Sequence, residues 1–188
     1  MNIARRSFPH YPRLIALAIG LVCAGLAWAD DYGDVNGLIR SGRAADAIAR
    51  ADQYLAAKPR DPQMKFLRGV ALTEAGRTAE AIAAFTALNA EYPELPEPYN
   101  NLAVIYAGQA QFDKARAALE TAVRANPSYA VAHENLGDVY AKLAALEYAR
   151  AQQLDPANGA VPQKLTLIRQ LFPAAARPAP ATPATSAR

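Results

Sequence analysis

Three prolines, Pro59, Pro93 and Pro127, stand 34 residues apart, and the same step brings Ala47, Ala81, Ala115 and Ala149 into register. Gly42, Gly76, Ala110 and Ala144 precede those alanines by five residues. A period of this size means supersecondary units that bury a face only against their neighbours, so the chain is expected to stack rather than close around one central core. Each unit holds two short apolar stripes separated by a break. That pattern reads as a pair of helices.

The first unit covers 30–61. Asp30, Asp31 and Asp34 load the opening turn of a short polar helix, where carboxylates meet the positive end of the helix dipole. Ser41-Gly42 ends it, and Ala47, Ile48, Ala51 and Leu55 then recur at helical spacing. The second unit, 62–95, sets Phe66, Gly69, Val70 and Leu72 on one helix and Ala81, Ile82, Phe85 and Leu88 on the next, with a turn at Ala75-Gly76-Arg77. The third, 96–129, is the most regular. Ala103 and Ala115 let helix backbones approach, while Tyr106 and Leu119 fill the space at the sides.

The fourth unit, 130–157, is shortened, since Pro156 follows Pro127 by 29 residues. Two forms are open to it: a helix pair with a tight turn near Leu143, or one helix over 131–154. The absence of Gly, Pro or Asn from Tyr140 to Gln153 favours the single helix. Residues 160–172 are amphipathic through Leu165, Ile168, Leu171 and Phe172 and are expected to cap the open end. From Pro173 to Arg188 the chain is rich in Pro and Ala with no large apolar side chain, which predicts a disordered tail: a solvated terminus, a spacer or a ligand for another domain.

At the other end, Arg5, Arg6 and Arg13 precede the uncharged run Leu14–Leu26 and the sequence Ala27-Trp28-Ala29. A basic leader, a short apolar run and an A-x-A site form a signal peptide over 1–29, cut after Ala29, and predict a periplasmic or secreted protein with no membrane span in the mature form. Arg5-Arg6-Ser7-Phe8 leaves the general and twin-arginine routes both open. An uncleaved anchor is a third possibility, and lipoprotein processing at Cys23 is disfavoured by Val22 before it. The leader holds three of the 20 basic residues and none of the 17 acidic ones, so the formal charge of +3 disappears on cleavage. Residues 30–172 keep 15 basic and 17 acidic residues, which excludes a basic nucleic-acid footprint. The mature chain would also contain no cysteine.

Tyr99-x2-Leu102-Ala103-x2-Tyr106, then Ala115-x3-Leu119 and Pro127, resemble the tetratricopeptide repeat signature, and His133-x2-Leu136-Gly137-x2-Tyr140 starts another copy. The second unit departs from it, with Lys65 and Arg68 where large apolar residues are usual. The resemblance, over about 30–156, implies an all-α, right-handed superhelix of antiparallel helix pairs, about 3.5 repeats plus a capping helix, of an exported bacterial type. It also implies a concave groove lined by the first helix of every repeat. The matching positions are Asn36, Phe66, Val70, Thr73 and Glu74 in the first two repeats. In the next two they are Asn100, Asn101, Val104, Glu134, Asn135 and Asp138.

Such a groove binds a peptide or partner protein, and its asparagines both donate and accept toward an extended main chain. Some family members capture a C-terminal carboxylate with Lys, Arg and Asn. Here Glu74, Glu97, Glu134 and Asp138 occupy that surface, so a basic or neutral segment is expected instead of an acidic terminus. Catalysis has little to work with. His133 is the only histidine after the leader, and no phosphate loop or H-E-x-x-H spacing occurs; Glu134 and Asp138 share one helical face, but one helix offers too few ligands for a metal. No cofactor is expected. The expected function is a non-enzymatic adaptor of the cell envelope, with a self-associating structural protein as the alternative.

Overall fold

The computed structural model describes residues 31–172; the leader, its cleavage site and the proline-rich tail fall on 1–30 and 173–188, outside the described residues. Among the described residues there are eight helices and no strands. The helices are α1 (31–40), α2 (Ala44–Ala57), α3 (Pro62–Glu74), α4 (Thr78–Glu91), α5 (Pro96–Gly108), α6 (Phe112–Ala125), α7 (Ala130–Leu154) and α8 (Ala160–Leu171).

The turn within each of the first three pairs is the same device. Gly42 N–H donates to Ile39 O (3.0 Å) and Arg43 N–H to Leu38 O (2.9 Å); Gly76 and Arg77 repeat this on Thr73 and Leu72, and Ala110 and Gln111 on Ala107 and Tyr106. These paired bonds satisfy the last carbonyls of the first helix and require one residue at positive φ. Gly42 (φ 74°) and Gly76 (φ 70°) take it freely, whereas Ala110 (φ 57°) carries a β-carbon there at a cost of about 1 kcal/mol. Ala144, in the same register, lies inside α7. The fourth unit is therefore one continuous helix of 25 residues, the single-helix form of the two that the sequence allowed.

The turns between units also repeat. Lys58 N–H bonds Tyr54 O and Asp61 N–H bonds Lys58 O, and the same pair recurs at Tyr92 and Leu95, Asn126 and Tyr129, and Asp155 and Asn158. Pro62 and Pro96 follow at the first turns of α3 and α5, where a missing N–H is no loss. From α2 onward each helix packs on the next in sequence, and α5 also touches α3 and α7 along one side. The interior runs along the stack as two clusters. Val35, Ala47, Met64, Leu72 and Phe85 centre the first, Ala103, Ala115, Leu119 and Val139 the second, and Tyr106 and Ala118 border both.

Lys65 and Arg68 have a physical reason for standing where apolar residues are usual. Lys65 pairs with Glu91 on α4 and Arg68 with Asp52 on α2, so charged groups rather than apolar side chains bridge the edges of the second unit. Their place in the interior is taken by Met64 and Leu67, both buried.

Asn89 on α4 is 7% exposed, and neither its amide nitrogen nor its amide oxygen has a hydrogen-bond partner. Its equivalents 34 residues away are Leu55 and Val123, both half-buried against the core. An unpartnered buried amide costs about 1–3 kcal/mol, so Asn89→Leu is expected to raise stability by a similar amount. Urea unfolding followed by circular dichroism measures it; a lower midpoint for the variant would mean that the amide has a partner which leucine loses.

Candidate binding groove

The side of the stack that carries α3, α5 and α7 holds two apolar clefts. The larger, about 410 Å³, lies between α5 and α7. Its floor is Ala103, Val104, Ala107, Phe112, Leu119 and Val139, and its rim carries Asn135, Asp138, Lys142 and Phe172. The second, about 300 Å³, lies between the starts of α3 and α5 and is lined by Pro62, Gln63, Phe66, Leu95, Glu97 and Pro98. Glu97 and Val104 are seven residues apart on α5, nearly two full turns, so both clefts open along one stripe of that helix, about 10 Å apart.

The candidate residues separate by position. Val104, Asn135 and Asp138 meet in the larger cleft, with Val104 52% exposed, and Phe66 lines the smaller one. Asn101 sits on the same stripe between them; its Nδ2 donates to Glu97 O (2.9 Å), and its Oδ1 accepts no bond among the described residues. Asn36 does the same on α1, donating to Tyr32 O (2.9 Å). Glu134 is exposed one turn before Asp138, and Glu74 is exposed at the end of α3. Val70 is half-buried against the interior, and Thr73 donates its hydroxyl to Gly69 O.

Asn100 is different from its neighbour. It is 6% exposed, and Asn135 Nδ2 donates to its Oδ1 at 2.8 Å, so this pair ties α5 to α7 beneath the groove. Alternation on a helix explains the split: Asn100 and Asn101 are about 100° apart, so only one of them points outward.

Phe172 is the next 34-residue step after Val70, Val104 and Asp138, but it caps the end of α8, beyond the shortened fourth unit, and the groove positions read from the repeat stop at Asp138. The same step reaches Lys142 only through the exposed Glu74 and Gly108, neither of which lines a cleft. These two meet across the end of the larger cleft, with Lys142 Nζ 3.8 Å from the Phe172 ring centroid, a cation over an aromatic face. Phe172 thereby closes the groove on the side where the chain leaves the described residues.

Charge is divided between the two sides. Every carboxylate on α2, α4 and α6, namely Asp46, Asp52, Glu80, Glu91, Asp113 and Glu120, is in an ion pair. Among the described residues, Glu74, Glu97, Glu134 and Asp138 are in none. No group of three His, Cys, Asp or Glu that could hold a metal occurs among the described residues, and no described helix is long and apolar enough to cross a membrane.

Two tetratricopeptide repeat models match the sequence, at residues 32–96 and 72–143, together more than half of the chain. The first TPR domain of human RPAP3 is similar in structure, with a TM-score of 0.58 at 18% identity over 62% of this chain and 92% of that one. A thermophilic TPR protein of Thermus thermophilus reaches 0.57 at 21% identity, over 77% and 82%. The first TPR of Spaghetti (RPAP3), bound to the HSP90 peptide SRMEEVD, reaches 0.56 at 17% identity, over 62% and 92%. No curated protein matches the sequence. Identities this low speak for the fold alone, but the repeat models, the common turn device and the shared architecture converge: the chain belongs to the tetratricopeptide repeat family.

Proposed function

We propose that this protein is a non-enzymatic adaptor, exported to the cell envelope, that holds a basic or neutral segment of a partner protein in the groove of α3, α5 and α7. The observation that carries the reading is the division of charge. Carboxylates left unpaired around apolar clefts attract a cationic segment and steer it in, while the clefts supply the burial that holds it. One structural neighbour holds SRMEEVD, an acidic segment. Unpaired carboxylates at Glu97, Glu134 and Asp138 disfavour such a ligand here.

A peptide array probed with the full chain tests this. Basic and neutral segments are expected to bind, and Asn101→Ala with Asp138→Ala is expected to weaken them at least tenfold, since neither change touches the Asn100–Asn135 tie. Best binding by acidic C-termini would refute the reading. A second reading, self-association through the end of the stack, is favoured by Leu146 (55% exposed), Leu154 (79%), Leu167 (63%) and Leu171 (65%) on α7 and α8. A mass that rises with concentration, without any peptide bound, would select it.

A further inference from the structure

We propose that the groove is occupied in cis by the chain's own proline-rich segment, residues 173–188, which acts as a tethered competitor of the partner. The inference rests on the reading of the groove as a peptide site and adds what fills it when no partner is present. Three observations carry it. The segment starts where the groove ends, because Phe172 is itself part of the wall of the larger cleft. Its charge is complementary: it contains Arg177 and Arg188 and no acidic residue, facing unpaired carboxylates at Asp138, Glu134 and Glu97.

Its length is also right. Extended at about 3.1 Å per residue, the five steps from Phe172 to Arg177 span about 15 Å. Asp138 lies about 6 Å and Glu134 about 12 Å along α7 from Lys142, the residue stacked on Phe172. The whole segment reaches about 50 Å, more than the width of three helices packed about 10 Å apart. A proline-rich strand has no internal hydrogen bonds, so its carbonyls and amides are available to Asn101, and its prolines suit clefts lined by Phe66 and Phe112. Tethering raises the local concentration to the millimolar range, enough for weak contacts to hold.

A photo-cross-linking residue in place of Ala176, next to Arg177, in the full chain, provides the test. Cross-links are expected within single chains and on α5 and α7 near Asn101 and Asp138. Glu134→Gln with Asp138→Asn, or Arg177→Glu, should cut their yield at least threefold. Arg177→Glu should also tighten the binding of the best array peptide at least threefold. Cross-links spread evenly over α2, α4 and α6, cross-links found only between chains, or a yield unchanged by these variants would overturn the proposal. If the array still shows groove-dependent capture of basic peptides while the cross-links fail, the adaptor function stands and only occupancy in cis is refuted. If the array fails as well, both fall.

Discussion

Phe85→Ala is expected to lower the free energy of unfolding by about 3–5 kcal/mol, the largest single-residue effect in this fold. Phe85 is fully buried on α4 and stacks at a tilt on Phe66, with ring centroids 5.8 Å apart. Its ring edge also lies over Gly69 on α3, so closely that a β-carbon at Gly69 would stand 2.5 Å from Cε1. The glycine therefore makes the room that the ring fills. Truncation leaves a cavity at the joint of the second unit. Because units in a stack rely on their neighbours, the loss should spread to α5. Urea titration read by circular dichroism measures it, and a loss below about 1 kcal/mol would mean that α3 and α4 collapse into the space.

Asp61→Ala is expected to cost about 2 kcal/mol, from a smaller side chain with more partners. Asp61 Oδ1 accepts the Met64 N–H (3.0 Å) as the N-cap of α3, and Oδ2 accepts the hydroxyls of Tyr54 (2.9 Å) and Tyr32. One carboxylate thus joins α1, α2 and α3. Burial by itself raises its pKa, but the bonds from Tyr32, the Met64 N–H, Tyr54 and the Gln63 N–H outweigh that and hold it below the usual carboxylate value. The same bond to Asp61 is the main reason why the Tyr32 phenol is raised.

A depressed carboxylate contributes stability that is fully present above its unfolded pKa, about 4, and that fades as pH falls through the lower folded value. Asp61→Asn keeps one acceptor oxygen for the cap, turns an NH2 donor toward the tyrosines and cannot ionise. Its deficit relative to wild type should be constant near neutral pH and shrink below about pH 4. Unfolding midpoints of both proteins across that range check it, and a gap that widens on acidification would contradict the assigned bonds.

Much of this architecture is legible in the chain itself, at particular residues. Gly42 and Gly76 announce positive φ, the prolines at 59, 93 and 127 mark unit ends, and Ala47, Ala81 and Ala115 are all fully buried at the helix crossings. The lack of Gly, Pro or Asn from Tyr140 to Gln153 points to the long α7. Other residues were not legible. Nothing local distinguishes Asn100 from Asn101, and only the direction in which α5 presents each one sends the first under the groove to Asn135.

The 34-residue period by itself determined the stack: its unit length, its turns and its repeated small-residue contacts follow from local backbone preferences and helical spacing, which short stretches of sequence encode. Only the tertiary structure decided what the groove presents. Phe172 arrives at the larger cleft from beyond the shortened fourth unit, Lys65 and Arg68 turn to ion pairs on α4 and α2, and the carboxylates of α5 and α7 are left without cations. Each of these depends on distances between helices far apart in the chain, and such distances exist only after the units have packed.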